Sequence, residues 1–426
     1  MTLVITRQGL LTATLTVIGA FLVATPALPS TAAPSTSASA AKHKHKKHKK
    51  TAGTKAAAST AVATQEATQT QAAVLHSTGS KVALSRRSRR GHHVYYNPWT
   101  EPTYADSTMG DNIDGEDLVV RKAAVDALGP YNGTVVVADP QTGRILSIVN
   151  QRLALQGAYQ PCSTVKMVVS LASLREGIVN STTSVHLTRR YSMDMTDALA
   201  RSNNLYFAKL GQELGFDRVE KYAKLYGLGE KAGLDIPGEQ AGFLTAEPPQ
   251  TGVGMMTSFG DGIRVTPLEL TSIVSTIANG GTMYYLQYPK SQEEVGRFIP
   301  RIKRELDISD LVSQVRTGMM GAVEYGTARR ASLDQSEQIF GKTGTCTDTV
   351  QPGVHLGWFG SFSEAGNKKV AVVVLLTGGR GISGPIASGI AGAVYRNLAA
   401  AHYSGVPQLQ QSSLPTALIS FPGTNQ

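Results

Sequence analysis

The sequence predicts an α+β domain in which one antiparallel five-stranded sheet is flanked by helices and carries an inserted all-helical lobe. Two observations support this prediction. Short runs of branched apolar residues, typical of buried strands, occur near both ends of the folded region. Between them, from Ser163 to about Gly326, the apolar residues follow mostly helical spacing. The two ends should therefore meet in one sheet, with a cleft between the sheet and the lobe.

Two strands near the start of the domain are predicted to form a hairpin. Gly133–Ala138 and Arg144–Val149 are rich in apolar and β-branched residues, and the segment Asp139–Gly143 between them (DPQTG) is built of turn-forming residues. Three further strands are predicted at Gln338–Lys342, Leu356–Phe362 and Lys369–Thr377.

Helices account for the remaining elements. The closing helix is predicted over Pro385–Ala400, because proline is favoured in the first helical turn. The predicted helices of the lobe include Ser163–Ile178, Met193–Ala200, Leu205–Leu214, Val219–Tyr226 and Leu268–Asn279. The first of these is apolar on nearly every face, so we expect it to be central and buried.

Composition divides the chain into four regions. We assign residues 1–32 to a signal peptide or membrane anchor, 33–116 to a disordered basic linker, 117–401 to the folded domain and 402–426 to a polar tail. The linker is rich in Ala, Ser, Thr, Lys and His. It has few aromatic or branched apolar residues whose burial could offset the entropy cost of ordering its backbone.

The net charge of +10 is concentrated in the N-terminal part of the chain. Of the 41 Lys and Arg residues, 13 lie in the first hundred positions beside one acid, Glu66, which leaves 28 basic and 30 acidic residues beyond. The domain is thus close to neutral, which argues against nucleic-acid binding. The basic segment is either a solvated linker or a contact for anionic polymers or lipids.

The N-terminal segment predicts export. The uncharged, largely apolar run from Leu10 to Leu28 is long for a signal-peptide core and just long enough to span a membrane. Small residues from Ser30 to Ala33 offer a cleavage site, so secretion and uncleaved anchoring both remain open. Either version places the domain outside the cytoplasm.

A serine and a lysine lie on one face of the first lobe helix. Ser163 stands at the helix start, and Lys166 follows three residues later, close enough for the amine to meet the hydroxyl. A lysine in low dielectric loses part of its preference for the proton and can act as a general base. The helix N-terminus favours developing negative charge at Ser163. Taken alone, the pair is better explained by an ordinary helix whose lysine side chain reaches solvent.

Two further motifs give the pair a context. Ser202-Asn-Asn204 falls between two predicted helices, and Lys342-Thr-Gly-Thr345 falls at the end of a predicted strand. Taken singly, the first is a helix cap and the second a turn. In this order and context, a loop hydroxyl, an amide and a cation can converge on the cleft beside Ser163.

With these motifs the sequence resembles the transpeptidase domain of penicillin-binding proteins, specifically the monofunctional, class B-like kind. The resemblance covers roughly Ala124 to Leu398. It implies the β-lactamase/transpeptidase-like fold. Further blocks shared with the family are GLDIPGE at 233–239, GDGIRVTPLEL at 260–270, IANGGTM at 277–283, GTA at 326–328 and GWFGSF at 357–362.

The resemblance implies a role for each motif residue. Ser163 would attack the carbonyl between two D-alanines of a peptidoglycan stem peptide, or a β-lactam, with Lys166 taking its proton and Ser202 relaying a proton to the leaving amine. The substrate-binding residues would be Asn204 for the peptide amide, with Lys342, Thr343, Gly344 and Thr345 for the terminal carboxylate. The backbone N–H groups of Ser163 and Thr345 would form the oxyanion hole.

The two cysteines flank the predicted site. Cys162 precedes the nucleophile, and Cys346 follows the Lys-Thr-Gly-Thr motif. An even pair in an exported protein favours a disulfide over two buried free thiols. The placement is similar to that in class A carbapenemases, and the family implies that the two segments face each other.

Alternatives to a transpeptidase remain open at this point. A serine β-lactamase or a D,D-carboxypeptidase would share the motifs and differ in which acceptor takes the acyl group. The sequence lacks a Glu-x-x-Leu-Asn segment of the kind that positions water in class A β-lactamases. A third interpretation is a non-catalytic β-lactam sensor, which the lack of a recognisable signalling domain disfavours. After export, the basic linker could contact anionic polymers or lipids of the cell wall.

No cofactor or metal site is predicted. The run Lys-His-Lys-His-Lys-Lys-His at 42–48 holds three of the nine histidines, but its positive charge repels divalent ions at neutral pH.

Overall fold

The computed structural model describes residues 102–332, 338–365 and 368–403, without the side chain of residue 365. The predicted signal peptide or anchor, nearly all of the predicted linker and nearly all of the polar tail lie outside the described residues. Within those residues no helix combines the length and apolar character needed to cross a bilayer.

The main sheet has five strands in the order β2-β1-β11-β10-β9, and every neighbouring pair is antiparallel. The predicted five-stranded antiparallel sheet, built from both ends of the domain, is therefore confirmed. The strands are β1 (Gly133–Ala138), β2 (Ile145–Val149), β3 (Val185–Thr188), β4 (Tyr191–Met193), β5 (Phe243–Leu244), β6 (Ile263–Arg264), β7 (Thr282–Tyr284), β8 (Ile302–Glu305), β9 (Ile339–Thr347), β10 (His355–Ala365) and β11 (Lys368–Gly378).

Helices cover both faces of this sheet. The lobe contributes most of them, while the first and last helices pack together on the other face. The helices are α1 (Leu118–Leu128), α2 (Gln151–Gln156), α3 (Lys166–Arg175), α4 (Met195–Ala200), α5 (Asn204–Leu214), α6 (Phe216–Leu225), α7 (Val253–Phe259), α8 (Pro267–Asn279), α9 (Gln292–Gly296), α10 (Ser309–Glu324) and α11 (Gly384–Ala400), with a 3-10 helix at Cys162–Val165.

The middle strand β11 joins two hydrophobic cores. Val373 and Leu375 face the core shared with the helical lobe, whereas Val372, Val374 and Leu376 face the core covered by α1 and α11. All five side chains are fully buried. Because successive side chains of a strand point to opposite faces, the continuous apolar run of β11 is what a strand covered on both sides requires.

Helix α3 lies inside the lobe, as its sequence predicted. Nine of its ten residues are buried. Its start differs from the prediction, because the first turn, Cys162–Val165, is a 3-10 helix rather than part of the α-helix. Gly177, with φ of 65°, ends the helical run before the predicted Ile178.

Residues 102–116, which the sequence analysis placed in the linker, pack against the domain. The buried Glu116 accepts hydrogen bonds from the Ser147 hydroxyl and the Ile148 N–H, both at 2.8 Å. Asp111 forms an ion pair of 2.8 Å with Arg121 of α1. The packed chain therefore begins before residue 117. The polar composition of this segment resembles that of a linker because its carboxylates bind the sheet instead of contributing apolar surface.

Candidate active site

The segment that leads into Ser163 is held by two neighbouring parts of the domain. Tyr159 and Val265 exchange backbone hydrogen bonds of 2.9 and 2.7 Å. The indole N–H of the buried Trp358 donates to the Gln160 carbonyl at 2.9 Å. These bonds fix the chain immediately before Cys162, whose φ of 50° begins the 3-10 turn. Ser163 therefore follows an anchored stretch of backbone.

The 3-10 turn brings Ser163 and Lys166 together. With three residues per turn, side chains three positions apart align along a 3-10 helix. Lys166 Nζ lies 2.9 Å from Ser163 Oγ. Lys166 is fully buried, and Ser163 is 8% exposed. The serine thus retains limited access from the cleft, while the amine has none.

The loop between α4 and α5 brings the second motif to the same amine. Lys166 Nζ is 3.1 Å from both the hydroxyl and the carbonyl oxygen of Ser202, and 2.6 Å from Asn204 Oδ1. Ser202 has a φ of 57°, in the left-handed region. Asn203 caps α5 by accepting from the Tyr206 N–H at 2.9 Å. The cap holds the tight turn that aims Ser202 at the lysine.

The third motif was predicted at the end of a strand, but the structure places it inside β9. This strand forms an edge of the sheet, so one side of its backbone pairs with no other strand of that sheet. A Cβ on Gly344 would stand 2.9 Å from the Pro161 carbonyl oxygen, so glycine permits the close approach of the nucleophile segment. Lys342 donates to the Thr343 carbonyl at 2.9 Å, and Thr345 Oγ1 accepts from the Gly384 N–H at 2.8 Å.

Burial changes the protonation of both site lysines. Desolvation, and secondly the charge of Lys342, lower the pKa of Lys166 to about 6. Desolvation lowers the pKa of Lys342 to about 7. Lys166 Nζ also lies 5.5 Å from the centre of the buried Phe207 ring. With a pKa of about 6, Lys166 is mainly a neutral amine at pH 7.

The neutral amine has its lone pair directed by its partners. The Ser202 carbonyl and the Asn204 amide oxygen can only accept hydrogen bonds, so they take the two N–H donors. The lone pair is then left for a hydroxyl proton of Ser163 or Ser202. The arrangement can therefore remove a proton from a serine hydroxyl.

The structure brings the first two motifs into one hydrogen-bond network, and it places the third beside them. Within the described residues, Lys342 Nζ bonds to its own strand and not to Ser163 or Ser202. No group of three or more His, Cys, Asp or Glu side chains in the described ranges is placed to hold a metal ion.

A disulfide joins the nucleophile turn to the motif strand, which confirms the predicted pair. Cys162 and Cys346 are bonded, with Cα atoms 5.7 Å apart and a separation of 184 positions in sequence. The bond crosses between the same two segments that meet at Gly344 and Pro161.

A buried ion pair, which the sequence analysis missed, lies next to the disulfide. Arg264 Nη1 is 3.1 Å from Asp348 Oδ1, and the Asp348 side chain is fully buried. Arg264 Nε also donates to the Ala158 carbonyl at 2.9 Å. The pair ties the end of β9 to the chain before the nucleophile. Its only sequence signal was Arg264 within the GDGIRVTPLEL block, which carried no obvious chemistry.

Two carboxylates have structural roles in the sequence blocks 233–239 and 260–270, for which no catalytic role was predicted. Glu239, in GLDIPGE, accepts from the backbone N–H groups of Ala232 and Gly233 at 2.8 and 2.9 Å. Glu269 accepts from Thr266 at 2.7 Å in the capping box of α8, and from Gly242 at 3.0 Å. Both acids therefore organise loops of the lobe by binding their amides.

The family model of the penicillin binding protein transpeptidase domain matches residues 133–399. The chain belongs to this family. The matched part of this transpeptidase-family chain runs from β1 almost to the end of α11 and so includes all five strands of the main sheet and all three motifs.

Similar proteins agree with this assignment. Stage V sporulation protein D of Bacillus subtilis is 28% identical over 314 residues, 64% of this chain and 48% of that protein. Peptidoglycan D,D-transpeptidase MrdA of Haemophilus influenzae is 24% identical over 353 residues, 64% of this chain and 54% of that protein. The chain spans about half the length of these curated relatives.

A solved structure shows the same fold. Pseudomonas aeruginosa PBP2, crystallised in complex with WCK 5153, matches with a TM-score of 0.56 and 24% identity, covering 67% of this chain and 77% of that chain. The expected β-lactamase/transpeptidase-like fold and the resemblance to monofunctional penicillin-binding proteins are confirmed.

Proposed function

We propose that this chain is a penicillin-binding serine D,D-transpeptidase that cross-links peptidoglycan stem peptides ending in D-Ala-D-Ala and is acylated by β-lactams. The observation that carries the proposal is the contact of 2.9 Å between the Ser163 hydroxyl and a buried Lys166 amine whose N–H donors are taken by carbonyl oxygens. The names of the relatives support the same activity.

In the acylation step, Lys166 accepts the proton of Ser163 as Oγ attacks the carbonyl carbon between the two D-alanines. The carbonyl oxygen becomes an oxyanion, which the backbone N–H groups of Ser163 and Thr345 stabilise. Each such donor lowers the barrier by about 3 kcal/mol in enzymes of this kind. The tetrahedral intermediate then collapses and the C–N bond breaks.

The leaving amine needs a proton as that bond breaks. Ser202 Oγ lies 3.1 Å from Lys166 Nζ, so the proton taken from Ser163 passes from Lys166 through Ser202 to the nitrogen of D-alanine. Asn204 uses its oxygen to hold Lys166, at 2.6 Å, and its amide NH2 remains for the peptide carbonyl of the substrate.

The terminal carboxylate is bound at β9. Lys342 supplies positive charge, the hydroxyls of Thr343 and Thr345 donate hydrogen bonds, and Gly344 leaves room for the peptide beside the strand. An amine of a neighbouring stem peptide then attacks the acyl-enzyme and forms the cross-link, whereas water would give carboxypeptidase activity. We place this reaction outside the cytoplasm, after export directed by residues 1–32.

The proposal is tested by incubating the full chain with a D-Ala-D-Ala stem peptide and an amine acceptor peptide, with products identified by mass spectrometry. We expect a cross-linked product and release of one D-alanine, and no reaction with Ser163→Ala. Shortened donor without cross-link would make the chain a carboxypeptidase. Rapid hydrolysis of benzylpenicillin in a parallel assay would make it a β-lactamase.

A further inference from the structure

Thr327, in the GTA block, bridges the two walls of the site. Its hydroxyl lies 2.6 Å from the hydroxyl of Thr343, in the motif strand. Its backbone N–H donates to the Ala200 carbonyl at 3.2 Å, at the end of α4. Ala200 stands two residues before Ser202. Thr327 therefore contacts both the helix that leads to the second motif and the strand that carries the third.

The backbone around Thr327 is built for this bridge. A Cβ on Gly326 would lie 2.1 Å from the Ala200 carbonyl oxygen, so only glycine lets the turn approach α4. The following N–H of Ala328 donates to the Ala322 carbonyl of α10 at 2.7 Å, and Ala328 is fully buried. The end of α10 therefore fixes Thr327 in position.

The chemistry of a carboxylate sets the direction of the hydroxyl pair. Between the two hydroxyls alone, either threonine could be the donor. A carboxylate only accepts hydrogen bonds, so Thr343 must donate to it, and its oxygen must then accept from Thr327. Such a chain of hydroxyls polarises each bond along it.

We propose that Thr327 is a positioning residue for substrate recognition: its hydroxyl donates to Thr343 and orients the Thr343 proton toward the terminal carboxylate of the substrate. This inference rests on the proposed function of Thr343 in binding that carboxylate. Thr327 does not touch the substrate. It acts in the bound state and in the transition state equally, so its loss weakens binding and leaves the chemical step unchanged.

The test measures the dissociation constant before acylation, and the acylation rate constant, for benzylpenicillin and for its methyl ester. Thr327→Val keeps the shape of the side chain and removes the hydroxyl. We expect the dissociation constant for benzylpenicillin to rise about fivefold, the loss of one neutral hydrogen bond, with the rate constant unchanged. The methyl ester keeps a carbonyl acceptor but loses the negative charge, so the substitution should weaken its binding less than it weakens the binding of benzylpenicillin.

Three further variants separate positioning from a structural effect. Thr327→Ser should restore binding. Thr327→Val should add no loss to Thr343→Val, since it acts through that hydroxyl. Thr317→Val is the matched control on α10, because Thr317 is exposed and its hydroxyl donates to the Ser313 carbonyl of the same helix.

Unchanged binding of benzylpenicillin to Thr327→Val would overturn the inference, as would an equal loss for the drug and its ester. The outcomes also distinguish the two proposals. An acylated wild type with an insensitive variant overturns only the role of Thr327, whereas a wild type that is never acylated overturns the proposed function as well.

Discussion

Acylation by benzylpenicillin should lose rate as the pH falls through about 6, because Lys166 must be neutral to take the proton of Ser163. With its pKa lowered to about 6, this amine is neutral in about nine of ten molecules at pH 7. An ordinary lysine with a pKa near 10.4 would be neutral in about four of ten thousand. The burial of Lys166 therefore raises the population of the base by roughly three orders of magnitude.

The assay is rapid-quench intact-mass spectrometry of the full chain with benzylpenicillin between pH 5 and 8. We expect the second-order rate constant of acylation to fall about tenfold per pH unit below 6. Above about 7 it should fall again as Lys342 loses its proton and binds the anionic drug less well. Circular dichroism at each pH serves as the control for folding.

A variant of the neighbouring lysine tests the cause of the low pKa. Lys342→Gln removes the charge that, after burial, most lowers the pKa of Lys166. The acidic limb should therefore move to higher pH, while the alkaline limb disappears. An acylation rate that is flat between pH 5 and 7, or a limb that stays in place in Lys342→Gln, would refute this account of the base.

Three further predictions concern stability. Reducing the disulfide should lower the free energy of unfolding by up to about 5 kcal/mol, the chain-entropy value for a loop of this length, measured by urea denaturation with and without reductant; an unchanged midpoint would contradict it. Asp348→Ala leaves the Arg264 guanidinium unpaired in a largely buried site and should cost about 3 kcal/mol in the same assay, and a loss below 1 kcal/mol would argue against it. Gly326→Ala forces a methyl group against the Ala200 carbonyl oxygen, so we expect a lower melting temperature and slower acylation, whereas wild-type values for both would show that the turn can relax.

The sheet was predictable because the apolar composition of its strands indicates that they are buried. The runs at Gly133–Ala138 and Lys369–Thr377 are so apolar that only a strand covered on both faces suits them, and both were located to within a residue. The extent of β9 was harder to predict. Gly344 has low strand propensity, and the strand continues through it because β10 pairs with β9 residue by residue.

The contact between Ser163 and Lys166 was predictable from their spacing, and the local geometry of the turn that makes it was not. Ser163 and Lys166 share a face in either kind of helix, but the 3-10 turn lies in a segment that is tied to distant strands by the bond of Cys162 to Cys346 and by the contact of Trp358 with Gln160. These contacts join residues nearly two hundred positions apart. The two cysteines that flank the site predicted the disulfide, but no local pattern in the sequence encodes the contact between Trp358 and Gln160.

Single residues with long-range partners escaped prediction for the same reason. Arg264 and Thr327 lie in blocks that mark the family, yet their partners Asp348 and Thr343 are known only once the chain is folded. Asn204 was assigned to the substrate alone, while its amide oxygen also directs the lone pair of Lys166. Such roles depend on the direction of individual hydrogen bonds.

The central claim is that Ser163, activated by the neutral Lys166, forms the acyl-enzyme. The most direct test is intact-protein mass spectrometry of the wild type, Ser163→Ala and Lys166→Arg after addition of benzylpenicillin, with the adduct located by peptide mapping. We predict one long-lived penicilloyl adduct on Ser163 of the wild type, none on Ser163→Ala, and acylation slowed at least a thousandfold in Lys166→Arg, whose guanidinium keeps its proton. An adduct at another residue, or an unmodified wild type, would contradict the account.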